Sequence, residues 1–163
     1  MPIELKELML QKPRLTLAVV ESMTCGWLQA RIGAIPGASD FFRGGLTAYE
    51  LDQKVRHLGV DHIHATAVNA VSATVAEQMA VGGCTFFKSD LVLSTTGYAE
   101  PSPAQSVAEP FAFWALALVR SGTPVIVANG RIECAGANRV QAQQRVADLV
   151  LSELVKYLIN LRS

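Results

Sequence analysis

The chain has 163 residues, half of them apolar, and its 14 basic and 14 acidic residues cancel. That length and apolar content fit one domain over 1–163 with a single buried core. The balanced charge removes any general attraction to nucleic acid or to an anionic membrane, so a small-molecule or protein partner is expected.

The opening residues MPIELKELML place Leu5, Leu8 and Met9 at helical spacing with Glu4, Lys6 and Glu7 on the other side. This predicts an amphipathic first helix ending before Pro13. Its charges interrupt the apolar stretch that a secretory signal needs, so the protein is expected in the cytoplasm. Residues 15–20, LTLAVV, read as a strand covered on both faces, because the run is short and almost continuously apolar. Residues 21–32 read as the next helix, with Ser22 or Thr24 available to cap it. Residues 44–49 are expected as a short strand, and 51–58 as a helix that Gly59 stops.

Further on, residues 72–87 carry Val75, Met79 and Gly82 or Gly83 at helical spacing, with Ser72 placed as cap. Residues 91–95 form a strand. Residues 97–110 hold three prolines and no periodicity, which predicts a long loop of the kind that usually serves function. Residues 111–119 and 124–134 are expected as an antiparallel hairpin about Arg120, Ser121, Gly122 and Thr123. These apolar runs fall well short of the roughly 20 residues that span a bilayer, so no membrane segment is expected. Residues 137–161 close the chain as a helix with Val146, Leu149, Val150, Leu154 and Leu158 as its buried stripe. Helices alternating with strands before a hairpin predict an α/β fold, a three-layer α/β/α sandwich around a mixed central sheet.

Cys25, Cys84 and Cys134 are odd in number and widely spaced, which suits reduced thiols rather than a disulfide framework or a zinc site. His57, His62 and His64 lack the spacing of a helical ligand pair. Neither metal nor cofactor is expected.

Two stretches carry the chemistry. In Val19-Val20-Glu21-Ser22-Met23-Thr24-Cys25-Gly26, a serine stands where a strand hands over to a helix, beside backbone amides able to cradle an anion or an oxyanion. As a fragment it fits a helix cap better than a nucleophile. The second is Gly44-Gly45-Leu46-Thr47-Ala48-Tyr49 with Lys54 five residues on. A lysine serves a serine as base only when burial or a neighbouring cation lowers its pKa, and a nearby tyrosine can orient it or relay a proton. Alone, Lys54 reads as a solvated helix residue beside Asp52 and Arg56.

The run AVVESMTCG resembles the first signature of the CinA C-terminal domain family, a strand followed by Glu-Ser-x-Thr-Gly-Gly, with Cys25 at the first of those glycines. GASDFFRGGLTAYELDQKVRHLGV is similar to its second signature, which leads through a glycine-rich strand to Tyr, four residues and Lys. Ala70-Val71-Ser72 with Val75 to Ala80 resembles the third. These run in the family's order from about residue 15 to residue 97. The resemblance implies an amidohydrolase that converts nicotinamide mononucleotide and water to nicotinic acid mononucleotide and ammonia without a metal, in a homodimer or larger assembly. It implies Ser22 as nucleophile, Lys54 as general base and Tyr49 as their support. Thr24, Gly26, Gly45, Gly97 and Arg139 would lie on the substrate side, Arg139 matching the arginine of a Gly-Asp-Arg-like segment. Helix amides after Ser22 would hold the oxyanion.

After Gly97 the chain departs from that pattern. Where the family has Ala-Gly-Pro-x-Gly-Gly, this sequence has Tyr98-Ala99-Glu100-Pro101-Ser102-Pro103, and Gln143 stands at a second arginine. Losing those glycines reshapes the loop, and Glu100 and Glu109 repel a phosphate. Two alternatives follow: an amidohydrolase shifted to another amide, or a catalytically silent paralogue that binds or assembles. Occlusion of Ser22 by the 98–110 loop would favour the silent paralogue, and an open pocket with Lys54 in reach of Ser22 would count against it.

Overall fold

The computed structural model describes residues 2–163. Five strands form one sheet in the order β2-β1-β3-β4-β5: β1 Leu17–Glu21, β2 Phe42–Thr47, β3 Leu91–Tyr98, β4 Phe111–Arg120 and β5 Thr123–Glu133. The first three run parallel, while β4 and β5 run antiparallel to their neighbours. Among the described residues, six α-helices cover it: α1 Pro2–Leu10, α2 Trp27–Gly33, α3 Leu51–Leu58, α4 His62–Ala67, α5 Ala73–Phe87 and α6 Arg139–Arg162. The result is the expected three-layer α/β/α sandwich with a mixed sheet. Among the described residues, no helix is long and apolar enough to cross a membrane.

Alternation along each strand divides the core. Leu17 and Val19 of β1, with Leu91 and Leu93 of β3, pack under α1, α2 and α6. Ala18, Val20 and Val92 face the opposite way, under α3, α4 and α5. Every residue of β1 is therefore buried, which explains its unbroken apolar run. On the second face, helix α5 lies very close to its neighbours. A Cβ on Gly82 would stand 1.9 Å from the carbonyl oxygen of Leu58 in α3, and one on Gly83 would stand 2.6 Å from Val92 of the sheet. Paired glycines thus let α5 press against α3 and the sheet at once.

Local signals set most boundaries. Ser72 accepts from the Val75 amide at the start of α5, and Asn138 and Gln141 form a reciprocal capping box at the start of α6. Gly59 ends α3 in the left-handed region at φ 65°. Ser121 and Gly122 at φ 50° and 79° make the two-residue hairpin turn between β4 and β5.

The structure corrects several sequence expectations. β1 extends through Glu21, and the helix expected from 21 starts only at Trp27, with Gly26 as its N-cap at φ 97° and neither Ser22 nor Thr24 capping it. β2 runs two residues earlier than expected, and β3 continues to Tyr98, which takes Gly97 out of the loop. α4 was not anticipated. In α6, Ala142, Ala147 and Val155 join the buried stripe, while Leu149 is 41% exposed. The stripe drifts round the helix because it meets a broad, twisted sheet as well as α1 and α2.

Candidate functional site

β1 lies between β2 and β3, and all three parallel strands end on the same side. After β1 the chain turns into α2 on one face, whereas after β2 it turns into α3 on the other. This divergence opens a crevice at the carboxyl ends of the strands, the place where open α/β sheets bind ligands. A cavity of about 800 Å³ occupies it, lined among others by Ser22, Tyr49, Lys54, Thr96, Gly97 and Arg139.

Ser22 is the first residue after β1, and its amide donates to the Thr95 carbonyl at 3.0 Å, which holds the serine against β3. Lys54 comes from the first turn and a half of α3. Its side chain is 1% exposed and its Nζ stands 2.9 Å from Ser22 Oγ. The same nitrogen donates to the carbonyls of Ala48 at 2.8 Å and Tyr49 at 2.6 Å. Burial lowers the Lys54 pKa to about 8. In its neutral form the amine has two hydrogens, which the two carbonyls take, leaving the lone pair toward the serine hydroxyl. That arrangement suits proton abstraction from Ser22.

Tyr49 therefore supports the lysine through its backbone carbonyl. Its phenol points elsewhere, accepting from Arg139 Nη2 at 2.6 Å. Arg139, the first residue of α6, also pairs through Nη1 with Glu100 Oε1 at 2.6 Å. The structure thus brings together Ser22, Lys54, Tyr49, Gly97 and Arg139 around one cavity.

It does not bring Thr24, Gly26 or Gly45 to the cavity lining. Thr24 is fully buried, donates to Glu21 Oε2 at 2.6 Å and accordingly accepts from Thr95 Oγ1 at 2.8 Å. Gly45 gives room to Gln29, whose Cγ would lie 2.2 Å from an added Cβ. Gly97 lines the cavity and also lets β4 approach, since an added Cβ would meet the Phe111 carbonyl oxygen at 2.3 Å. Its glycine is required by strand packing as much as by any ligand.

Glu21 is the residue whose part in the site the sequence did not disclose. Its carboxylate is fully buried and accepts four hydrogen bonds: from Thr24 Oγ1 at 2.6 Å, and from the amides of Gly26, Leu28 and Gln29 at 3.0, 3.1 and 2.9 Å. It caps α2 from below and fastens the turn that carries Ser22. The positive end of the helix stabilises its charge. The readable signal was an acid ending an apolar strand just before a helix. One consequence is that the amides at the start of α2 are already taken. Among the described residues, the amides left without a partner just after Ser22 are those of Met23 and Thr24.

The loop beyond β3 does not close the site. Tyr98, Ala99, Glu100, Pro101 and Ser102 form a wall of the cavity, and a small bridge between Ser102 and Val107 folds the remainder back on itself.

Comparison with known proteins agrees with this architecture. The model of the CinA C-terminal domain matches residues 4–158. A CinA-like protein of Chlorobium limicola is 36% identical over 152 residues, covering 92% of this chain and 35% of that protein. A CinA-like protein of a Cyanothece species is 48% identical over 86 residues, 53% of this chain and 21% of its own. The chain thus spans about a third or less of the length of these relatives. Among solved structures, the competence or damage-inducible protein of Enterobacter asburiae superposes with a TM-score of 0.84 at 23% identity, over 96% of this chain and 95% of that one. A CinA superfamily protein of Klebsiella pneumoniae gives 0.85 at 19%, over 98% and 96%. These two likenesses are of fold.

Proposed function

Because the chain belongs to the CinA C-terminal domain family, we propose that it is an amidohydrolase working through Ser22 and Lys54, with a nicotinamide-bearing compound as its substrate class. Nicotinamide mononucleotide is the first substrate to test, since the sequence signatures resemble those of its deamidases. The observation that carries the reading is the 2.9 Å contact of Lys54 Nζ with Ser22 Oγ at the floor of an open cavity.

In the proposed reaction, neutral Lys54 takes the proton of Ser22 as Oγ attacks the carboxamide carbon. The oxyanion that forms is met by the amide of Met23, which lines the cavity beside Ser22 and takes the place of the α2 amides expected from the sequence. Donors of this kind are worth about 3 kcal/mol each in other enzymes. Protonated Lys54 passes its proton to the departing nitrogen, the C–N bond breaks, and ammonia leaves behind an acyl-serine. Water, activated by the again neutral lysine, then releases the carboxylic acid.

A silent binding protein would be favoured by a blocked serine. The cavity instead opens on Ser22, and a buried lysine held by two carbonyls is a costly arrangement for a purely structural role. The test is ammonia release from nicotinamide mononucleotide and a small panel of amides, abolished by Ser22→Ala and by Lys54→Ala. Turnover indifferent to both substitutions would sink the mechanism.

A further inference from the structure

Resting on the amidohydrolase reading, we propose that Glu100 makes this cavity selective for a positively charged carboxamide without a phosphate, such as an N-substituted pyridinium carboxamide, over its phosphorylated counterpart. Among the described residues, Arg139 is the one exposed cation with a permanent charge on the cavity wall, and it is already compensated. Glu100 Oε1 holds Nη1 at 2.6 Å, and the Tyr49 phenol holds Nη2 at the same distance. A phosphate approaching Arg139 must displace Glu100 or lie beside it, and either disfavours binding. Lys54 offers no substitute, because its nitrogen is buried and committed to Ser22, Ala48 and Tyr49.

The remaining charge on the wall has the sign that suits a cation. Glu50 and Asp52 line the same cavity as Glu100, with Arg139 the only opposing fixed charge among the exposed lining residues that are described. Two phenol rings, Tyr49 and Tyr98, line the cavity as well, and Tyr49 is 49% exposed. Aromatic faces and carboxylates together are the usual recognition surface for a delocalised organic cation. A pyridinium carboxamide carries such a charge on the ring that bears its amide. With this substrate the balance is amide plus water giving carboxylate plus ammonium, and no further reactant is consumed.

The test separates binding from turnover. Ser22→Ala protein, which retains the cavity, is titrated calorimetrically with 1-methylnicotinamide, nicotinamide riboside, nicotinamide mononucleotide and uncharged nicotinamide. The expected result is that the two phosphate-free cations bind at least tenfold tighter than the mononucleotide and tighter than nicotinamide, with an affinity that falls as salt rises. Adding Glu100→Gln, an exposed substitution that leaves the core untouched, is expected to shift the riboside to mononucleotide ratio at least tenfold toward the mononucleotide. Mononucleotide binding as tightly as the riboside, a ratio unmoved by Glu100→Gln, or no binding of either cation each overturns the proposal. Ammonia release by the unaltered protein is scored apart: its absence with the binding pattern intact overturns the amidohydrolase reading and leaves the selectivity standing.

Discussion

Lys54 reaches Ser22 at 2.9 Å through the interior of the protein, and its other two contacts are backbone carbonyls rather than carboxylates. A lysine paired with an acid would stay protonated far above neutrality. This one, buried with only dipoles for company, has its pKa lowered to about 8.

The first prediction is a rate that rises with pH. If neutral Lys54 is the base, kcat/KM increases about tenfold between pH 7 and a plateau above about pH 9, following the fraction of neutral amine. A pH profile of ammonia release measures it. Lys54→Arg, which cannot lose its proton in this range, is expected to be inactive at every pH.

Stability follows the same group with a defined sign. The folded pKa is about 8 against 10.5 for an ordinary lysine, so between those limits the unfolded chain binds more protons than the native one. The stabilising effect of keeping Lys54 neutral is complete above pH 10.5 and is lost as pH falls through about 8. Relative to Lys54→Met, the wild type is expected to gain about 3 kcal/mol across that window, from the size of the shift. Denaturant titrations of both proteins at pH 7, 8, 9 and 10 provide the comparison.

Glu21→Gln tests the seating of the proposed nucleophile. The amide retains the size of the carboxylate but turns a donor toward Thr24 or the α2 amides, so a stability loss of about 2 kcal/mol is expected. The kinetic expectation is a fall in kcat with KM little changed, because Glu21 fastens the turn bearing Ser22 and does not itself line the cavity.

Gly82→Ala acts from farther away. Its Cβ would lie 1.9 Å from the Leu58 carbonyl, so α3 must move, at a cost of about 1–3 kcal/mol. Since α3 carries Lys54, the displacement lengthens the contact with Ser22, and kcat drops in the folded protein. Gly33→Ala, whose Cβ meets nothing within 4 Å, is the matched control and is expected to leave both properties nearly unchanged.

The elements that the sequence disclosed well are those with long periodic patterns, strong caps or a clear turn: α5 behind Ser72, α6 through its apolar stripe, and the β4–β5 hairpin. The start of α2 was misread because Glu21 and Ser22 look like an ordinary helix opening. Only in three dimensions does the acid belong to the strand and reach forward over four donors. Six residues were too few for a periodic signal in α4. Thr24, Gly26 and Gly45 sit near Ser22 along the chain or across the sheet, yet Thr24 bonds to Glu21 and Thr95, Gly45 makes room for Gln29, and Gly26 supplies the positive φ at which α2 begins. Proximity in sequence does not state which face a residue presents. The link from Glu100 to Arg139 spans 39 positions and belongs to no motif, so only the folded chain displays it.

The groups of the proposed reactive centre come from the turn after β1, the turn after β2 and α3, within one stretch between Ser22 and Lys54. The groups that would meet the rest of a substrate, Glu100 and Arg139, arrive from beyond β3 and from the start of α6. Mutation can therefore redraw one half without disturbing the other. A new ligand preference can arise by exchanging two surface side chains while the reactive centre is inherited intact, and a laboratory selection confined to residues 98–102 and 139 would explore that freedom directly.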